Sequence, residues 1–360
     1  MGTEPIKFGV VGLGMGQHHC KAVTAARGAE LVAVCDIDMD RTNKLSAEYD
    51  VAGYEKYEEF LKHPGMQAVC VATPSGMHAD FAIQAMKSEM HVVTEKPPDV
   101  KASKVREMVQ VSKDLNCKME QIFQQRTSPM NRRIKDAIDK GRLGKLMGIN
   151  AIMPWWRAQS YYEDLAHGRW KGTWDLDGGG SLANQGIHTL DIILYFFGRV
   201  ESVIGKFGVY AHDIEAEDQT NAILNFANGA TGSITTTTCA YPGSGQFLVL
   251  YGNRGQIRQA DCLERWSIMQ DDDPDREKEK AEEQEMLTLY GPAASRSATD
   301  VANDPMALGA EGHTAHIEDL VKAITENRDT LSSPEMGLHD VEVLEAVFES
   351  GRTGKEVFIK

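Results

Sequence analysis

The 360-residue sequence contains no long apolar segment and no leader-like start. Crossing a bilayer takes a run of about 20 apolar residues, and no run in this chain approaches that length. The first twelve residues, MGTEPIKFGVVG, lead directly into a strand pattern without the basic region, apolar core or cleavage site of a signal peptide. We therefore expect a cytoplasmic protein without a membrane partner.

Cysteine and positive charge are both scarce. The six cysteines are scattered and form no C-x-x-C pair, so we predict reduced thiols, no disulfide framework and no metal site. Lys and Arg number 38 against 53 Asp and Glu, which gives a net charge of −15. This negative surplus repels phosphate backbones and argues against a nucleic-acid partner.

What the sequence does contain is a regular alternation of strand and helix patterns in its first third. Apolar β-type runs occupy residues 6–11, 30–38, 67–73 and 91–94, and segments with helical spacing lie between them. Such alternation predicts an α/β domain built on a doubly wound parallel sheet. We assign this domain to residues 1–128.

After about residue 130 the pattern changes to β-rich stretches with few helices between them. Turn residues such as Asn228-Gly229 separate these stretches, which favours antiparallel pairing. At about 100–200 residues per domain, the chain has room for a second, α+β domain, which we assign to residues 129–360. Within it, residues 271–310 begin with the acidic run DDDPDREKEKAEEQE and are predicted to form an exposed insertion or loop with some helix.

A glycine-rich turn follows the first predicted strand and opens the first predicted helix. It reads Gly12, Leu13, Gly14, Met15 and Gly16. Glycines in this setting let backbone N–H groups and the helix N-terminus approach a pyrophosphate, although Gln17 stands where the usual motif has its last glycine. Asp36 ends the second strand, where a carboxylate binds ribose hydroxyls and repels a 2′-phosphate. We predict NAD as the cofactor, with NADP less favoured but left open by the nearby Arg41.

Two longer segments carry a family resemblance. VATPSGMHADFAIQAMKSEMHVVTEKP (71–97) and DGGGSLANQGIHTLD (177–191), together with the glycine-rich turn, resemble the glucose-fructose oxidoreductase and inositol dehydrogenase family, written Gfo/Idh/MocA. The resemblance implies a Rossmann domain and a C-terminal domain with a large open-faced, mainly antiparallel sheet. It also implies a carbohydrate or cyclitol substrate and a homodimer or homotetramer formed through that sheet.

The resemblance places catalysis on Lys96 and His188. Oxidising an alcohol requires a group that takes the hydroxyl proton as hydride leaves carbon, and Lys96 ends a strand at the expected ligand-binding edge. His188 matches the family histidine that hydrogen-bonds the reacting hydroxyl. Asn184 replaces an aspartate found in inositol dehydrogenase-like members. Because an amide cannot exchange protons, we assign Asn184 to substrate orientation and exclude Asp191 from the catalytic set.

Further site residues follow from the same matches and from an aromatic-rich stretch. The resemblance assigns cofactor contacts to Thr73, Pro74, His78, Glu95 and Gln124, with helix capping as the alternative for His78. Aromatic faces stack on sugar rings, and the sequence between residues 155 and 175 is rich in them. There we predict a substrate wall of Arg157, Tyr162, Trp174 and Asp175, with packing or a subunit contact as the alternative.

The sequence is compatible with three functions. The first is NAD-dependent oxidation of a secondary ring hydroxyl of a sugar, sugar derivative or cyclitol to a ketone. The second is redox-assisted glycoside cleavage, in which the cofactor stays bound and is recycled; such an enzyme would release aglycone without accumulating NADH. The third is a non-catalytic NAD sensor or scaffold, against which the retention of Lys96 and His188 argues.

Overall fold

The computed structural model describes residues 4–163, 169–292 and 311–359. Its first sheet contains six strands: β1 (Ile6–Val11), β2 (Ala29–Cys35), β3 (Ala52–Tyr54), β4 (Ala68–Val71), β5 (His91–Thr94) and β6 (Met119–Gln121). All neighbouring strands pair in parallel, in the order β3-β2-β1-β4-β5-β6. This is the order of a Rossmann fold, so the predicted doubly wound sheet is confirmed.

Helices and a short turn connect the strands of this sheet: α1 (Gly16–Ala25), α2 (Met39–Tyr49), α3 (Tyr57–Phe60), a 3₁₀ turn (Ser75–Met77), α4 (His78–Lys87) and α5 (Ala102–Asp114). Two further helices, α6 (Gln124–Thr127) and α7 (Pro129–Asp139), follow β6 and lead to the second sheet. Strands such as β4 are buried at every position because parallel sheets of this kind are covered on both faces. In such sheets, ligands bind at the carboxyl ends of the strands.

The second sheet has eight strands. They are β7 (Leu146–Pro154), β8 (Val200–Gly208), β9 (Gln219–Phe226), β10 (Thr231–Thr237), β11 (Phe247–Gly252), β12 (Gly255–Gln259), β13 (Leu263–Ile268) and β14 (Val357–Phe358). The strand order is β13-β12-β11-β7-β10-β9-β8-β14, and every pair is antiparallel except β7 with β10. The predicted mainly antiparallel sheet is confirmed.

One face of the second sheet is covered and the other is open. The remaining elements are α8 (Gln159–Tyr162), a π-helical turn (Ser181–Gly186), α9 (Ile187–Phe197), α10 (Glu277–Tyr290), α11 (Glu311–Glu326) and α12 (Pro334–Thr353). Leu190 and Ile193 of α9 pack in one core cluster with inward residues of the sheet such as Leu224. On the open face, Ile152 and Ile223 are each about half exposed, at 49% and 48%.

The C-terminal part of the chain also contacts the first sheet. Ile317 and Leu320 of α11 lie in the same core cluster as Phe8 and Val10 of β1. The division at residue 128 stays a prediction, and two helices from beyond it, α11 and, through Val341, α12, contribute to the core of the Rossmann sheet.

The acidic segment forms a helix that packs on the edge of the second sheet. Residues 277–290 make up α10, which is mostly exposed but buries Met286. Glu282 accepts a hydrogen bond from the indole of Trp266 at 3.1 Å, so the acidic residues partly anchor the helix. The part of the predicted loop at 293–310 lies outside the described residues. Among the residues that are described, no helix is both long enough and apolar enough to cross a membrane.

Candidate active site

The glycine-rich turn between β1 and α1 has the backbone geometry of an anion-binding loop. Gly12 has a φ of +86°, and a Cβ there would lie 2.5 Å from the carbonyl oxygen of Ala72, so only glycine fits. Within the described ranges, the hydrogen bonds of the turn use the N–H groups of Gly12, Leu13 and Gly16 and leave those of Gly14 and Met15 available. Available N–H groups ahead of a helix can bind a pyrophosphate.

Asp36 follows β2 and braces this turn. Its Oδ2 accepts a hydrogen bond from Leu13 N–H at 2.6 Å, and its Oδ1 accepts one from Asp38 N–H at 2.9 Å. A carboxylate has about four acceptor positions, so two remain for ribose hydroxyls. Arg41 lies 3.9 Å from Asp36 Oδ2 and pairs with Asp38 at 3.1 Å, which ties its charge to two carboxylates. Asp36 therefore fits NAD better than NADP.

The segment after β4 reaches the same edge of the sheet. The Thr73 hydroxyl is buried and, within the described ranges, has no hydrogen-bond partner, which fits a contact to a cofactor. His78 differs from its predicted role. Its ring nitrogens lie 2.7 Å from the carbonyl oxygen of Thr73 and 2.6 Å from that of Pro97, so neither nitrogen is left for a cofactor. His78 instead ties the Thr73-Pro74 segment to the segment that carries Lys96.

Glu95 is also occupied by protein groups. Its Oε1 lies 2.9 Å from His19 Nε2 and 3.0 Å from His313 Nε2, and its Oε2 accepts from Lys96 N–H at 3.1 Å. Gln124 Nε2 lies 3.3 Å from the same His313 nitrogen. The two histidines hold the pKa of Glu95 well below its usual range although burial opposes this. These contacts fix the end of β5, and the predicted cofactor contact of Glu95 stays a prediction.

Lys96 stands at the carboxyl end of β5, close to the segment that follows the three glycines. Its Nζ donates a hydrogen bond to the carbonyl oxygen of Asn184 at 3.0 Å. Burial lowers the pKa of Lys96, with a contribution from Arg157, and the charges of Glu95 and Asp177 oppose the shift. A larger share of neutral amine is thereby available near neutral pH than in a solvent-exposed lysine.

His188 lies at the start of α9 in the same electrostatic environment. Burial, with a further contribution from the charge of Lys96, lowers the pKa of His188 to about 3. The imidazole is therefore neutral at physiological pH. It can exchange hydrogen bonds with a substrate hydroxyl, but it is too weak a base to keep a proton.

Asn184 lies in the π-helical turn Ser181–Gly186, and His188 lies in the helix α9 that follows it. The turn directs the Asn184 carbonyl oxygen to Lys96. The Asn184 side chain donates to Asp177 Oδ1 at 2.5 Å. Such π-helical turns occur often at functional sites, where they redirect side chains that a regular helix would place elsewhere.

Glu217 anchors the beginning of this turn. Its carboxylate accepts hydrogen bonds from Gly180 N–H at 3.1 Å, Leu182 N–H at 2.8 Å and the Ser181 hydroxyl at 2.6 Å. Gly180 is required here, because a Cβ would lie 1.8 Å from the Glu217 carbonyl oxygen. Burial raises the pKa of Glu217 to about 7.

Of the four residues predicted to form the substrate wall, Arg157 comes to the Lys96 site. It is buried, its charge acts on Lys96, and its guanidinium lies 5.5 Å from the centre of the Tyr161 ring. Lys171 Nζ lies 3.9 Å from the centre of the same ring. Two cations thus lie within 5.5 Å of the centre of the Tyr161 ring.

The other three have packing contacts. The Tyr162 hydroxyl lies 2.9 Å from Thr238 Oγ1, inside the protein. Trp174 packs edge-on against Phe207 and Phe348, at 5.7 and 5.1 Å between ring centres. Asp175 is exposed, and its backbone packs against the 3₁₀ turn after β4. Their predicted contact with substrate stays a prediction, and these contacts favour the packing alternative.

Two family models match the chain. The NAD-binding Rossmann-fold model of the oxidoreductase family covers residues 6–122, and the GFO/IDH/MocA C-terminal domain model covers residues 131–258. The chain belongs to the Gfo/Idh/MocA family. As a Gfo/Idh/MocA protein it is an oxidoreductase, and its cofactor is NAD.

Similar proteins of the family act on cyclic polyols and sugars. The chain is 25% identical to the myo-inositol 2-dehydrogenase of Thermotoga maritima over 75% of this chain and 80% of that protein. It is 25% identical to the D-glucoside 3-dehydrogenase of Escherichia coli over 64% and 69% of the two chains. The WlbA dehydrogenase of Bordetella pertussis, solved with NADH and UDP-GlcNAcA, superposes with a TM-score of 0.85 at 26% identity, covering 100% of this chain and 99% of that chain.

Sequence reasoning missed several groups of this Gfo/Idh/MocA site. Asp177 begins the quoted DGGG segment, so its position before three glycines was a usable signal. Glu217 carried no such signal, because its role depends on β9 lying beside the π-helical turn. His19 and His313 were missed for the same reason, since 294 residues separate them along the chain. These two histidines and Glu95 could together hold a metal ion, but their hydrogen bonds already account for the arrangement.

Proposed function

We propose that this protein oxidises a secondary ring hydroxyl of a sugar, sugar derivative or cyclitol to a ketone. The observation that carries the proposal is the position of Lys96, a lysine with a lowered pKa at the carboxyl end of β5, beside a neutral His188. A partly buried amine at the ligand-binding edge of an NAD-binding sheet suits proton removal from an alcohol.

Each residue of the site has its own part in this reaction. NAD, when bound, accepts the hydride from the substrate carbon. Gly14 and Met15 N–H groups, Asp36 and Thr73 would hold the cofactor, and Pro74 would border it beside Thr73. The Lys96 amine takes the hydroxyl proton, and His188 positions the hydroxyl through a hydrogen bond without keeping the proton.

Charges around the site guide the choice of substrates to test. Arg157 and Lys171 both lie close to the Tyr161 ring, and Lys96 adds a third cation when protonated. Sugars that carry a carboxylate or phosphate suit such surroundings better than neutral sugars do. Uronates and nucleotide sugars therefore belong in the substrate panel beside inositols and glucosides.

The experiment mixes purified protein and NAD with this panel and measures NADH, ketone and released aglycone together. We expect one mole of NADH per mole of ketone with at least one class of substrate. Aglycone release without NADH would overturn the proposal and establish redox-assisted cleavage instead. A panel that yields neither product would also count against it.

We further propose that the open face of the second sheet binds another copy of the chain. Five large apolar side chains on β7, β8, β9 and β11 are 41–50% exposed there: Met147, Ile152, Ile204, Ile223 and Phe247. Ile204 and Ile223 pair directly across β8 and β9, and Ile152 and Phe247 pair across β7 and β11, so they form two apolar patches on this face. Exposed apolar surface of this kind is typical of a protein interface.

A further inference from the structure

Asp177 is a buried carboxylate that the proposed reaction has not yet used. It is 1% exposed and lies immediately before the glycines that lead into the π-helical turn. Its Oδ2 accepts a hydrogen bond from Gly172 N–H at 2.7 Å, and its Oδ1 accepts one from the Asn184 side chain at 2.5 Å. These contacts fix the carboxylate in one orientation.

Asn184 connects this carboxylate to the catalytic lysine. Lys96 Nζ donates to the Asn184 carbonyl oxygen, and the Asn184 amide donates to Asp177. One residue therefore touches both charged groups, the lysine through its backbone and the carboxylate through its side chain. The two charges also act on each other, because Asp177 raises the pKa of Lys96 and Lys96 lowers that of Asp177.

The remaining charged and titratable groups near Asp177 come from neighbouring elements. Lys171 and Lys96 are the cations that act on its carboxyl group, and Asp177 in turn acts on Tyr161 of α8. Against these cations, burial is the larger effect and raises the pKa of Asp177 to about 7. We therefore expect Asp177 to ionise near neutral pH.

We infer that Asp177 is the positioning carboxylate of this active site: it holds Asn184 in place and stabilises the ammonium that Lys96 becomes when it takes the substrate proton. In this step the substrate O–H bond breaks and a Lys96 N–H bond forms. The C–H electron pair leaves with its hydrogen as hydride to NAD, and the carbon–oxygen bond becomes double. The lysine gains one positive charge, and the Asp177 carboxylate balances it across Asn184. The inference rests on the proposed function for its chemistry.

The test exchanges the carboxylate of Asp177 and the side-chain amide of Asn184. Asp177→Asn removes the carboxylate while keeping the shape of the side chain, and the double variant Asp177→Asn with Asn184→Asp returns one carboxylate and one amide to the same pair. Asp213→Asn, at an exposed aspartate outside the proposed site, is the matched control. Steady-state kinetics across pH are measured with a substrate found in the panel.

For Asp177→Asn we expect a fall in kcat of about 10- to 100-fold with little change in KM, since the group acts on the proton acceptor and not on binding. Removing a negative charge near Lys96 should move the acid limb of kcat/KM to lower pH by about one unit. The double variant should recover most of the lost rate, and the control should match the wild type. A single variant with wild-type kcat, or a double variant as slow as the single one, would overturn the inference.

A second readout needs no substrate. The rate of reductive methylation of Lys96, followed across pH by mass spectrometry of its peptide, reports the pKa of the amine directly. In Asp177→Asn this pKa should fall, and in the double variant it should return toward the wild-type value. An unchanged Lys96 titration in Asp177→Asn would refute the role of Asp177 even if the substrate panel had failed. If the Lys96 pKa falls in Asp177→Asn as expected but no substrate of the panel is oxidised, the proposed function is wrong and the role of Asp177 stands.

Discussion

At the scale of single residues, Asp36 decides which dinucleotide the protein accepts. Two of its acceptor positions are used by Leu13 and Asp38 N–H groups, and the rest face the turn where the adenosine ribose would bind. The sequence was sufficient to predict this residue, because a carboxylate about 20 residues after a glycine-rich turn is typical of NAD sites in parallel α/β domains.

Replacing Asp36 should change cofactor choice. Asp36→Asn keeps one oxygen acceptor but removes the charge that binds ribose hydroxyls and repels a 2′-phosphate. Hydrogen bonds to charged groups contribute about 1.5–3 kcal/mol, so NADH affinity should fall about 10-fold or more while NADPH affinity rises or holds. Fluorescence titration of both cofactors measures this, with the exposed Asp40→Asn as the control. An unchanged NADH-to-NADPH ratio would show that Asp36 does not face the ribose.

Other residues could not be placed from the sequence alone. His78, Glu95 and Gln124 were assigned to the cofactor by resemblance, yet their side chains hydrogen-bond protein groups. His313, which contacts Glu95 and Gln124, comes from α11 near the end of the chain. A residue whose partner lies about 200 positions away gives no local pattern from which its role could be inferred.

At the scale of elements, the hydrophobic pattern predicted several strands closely, and the bounds of β1 and β5 match their predicted ranges of 6–11 and 91–94. The π-helical turn Ser181–Gly186 was not predicted from the sequence. What widens the turn is outside it: Glu217 binds two N–H groups and one hydroxyl at its start. The spacing of apolar residues within one segment cannot reveal a constraint that a residue from a distant segment imposes.

Glu217 makes the stability of this turn depend on pH. The folded protein raises the pKa of Glu217 from its ordinary value of 4.5 to about 7, so it binds this proton more tightly than the unfolded chain does. The corresponding stabilisation is full below about pH 4 and is lost as pH rises through 7.

The variant Glu217→Gln removes this proton dependence and retains hydrogen-bonding capacity at the same place. The unfolding free energy of the variant minus that of the wild type should rise by about 2–3 kcal/mol between about pH 5 and pH 8. This follows because each unit of pKa shift corresponds to about 1.36 kcal/mol. Urea unfolding at both pH values measures the difference. If the unfolding free energies of variant and wild type differ by the same amount at both pH values, then folding does not raise the pKa of Glu217.

At the scale of the whole molecule, the two sheets divide the functions. The Rossmann sheet binds the cofactor, and the second sheet supplies the segment with Asn184 and His188 on its covered side and an apolar surface on its open side. Burial alternates along β9, so this strand contributes to both faces of the second sheet. Leu224 points into the core and its neighbour Ile223 is exposed.

If the open face joins two copies, a charge there should separate them. Ile223→Arg places a cation on the apolar patch formed by β8 and β9, and we expect light scattering after size exclusion to show a mass near the 39.7 kDa of one chain. Leu115→Arg, at a similarly exposed leucine after α5, should keep the wild-type mass. A wild-type protein that already runs as a monomer, or an Ile223 variant that stays associated, would contradict the proposed interface.

The measurement that tests the central claim most directly compares Lys96→Met with the wild type in single-turnover NADH formation, with NADH binding measured on the same samples. If Lys96 takes the substrate proton as proposed, the rate should fall by about 10²- to 10⁴-fold while cofactor affinity changes little. A variant that forms NADH at close to the wild-type rate would show that another group accepts the proton and that Lys96 is not the base of this active site.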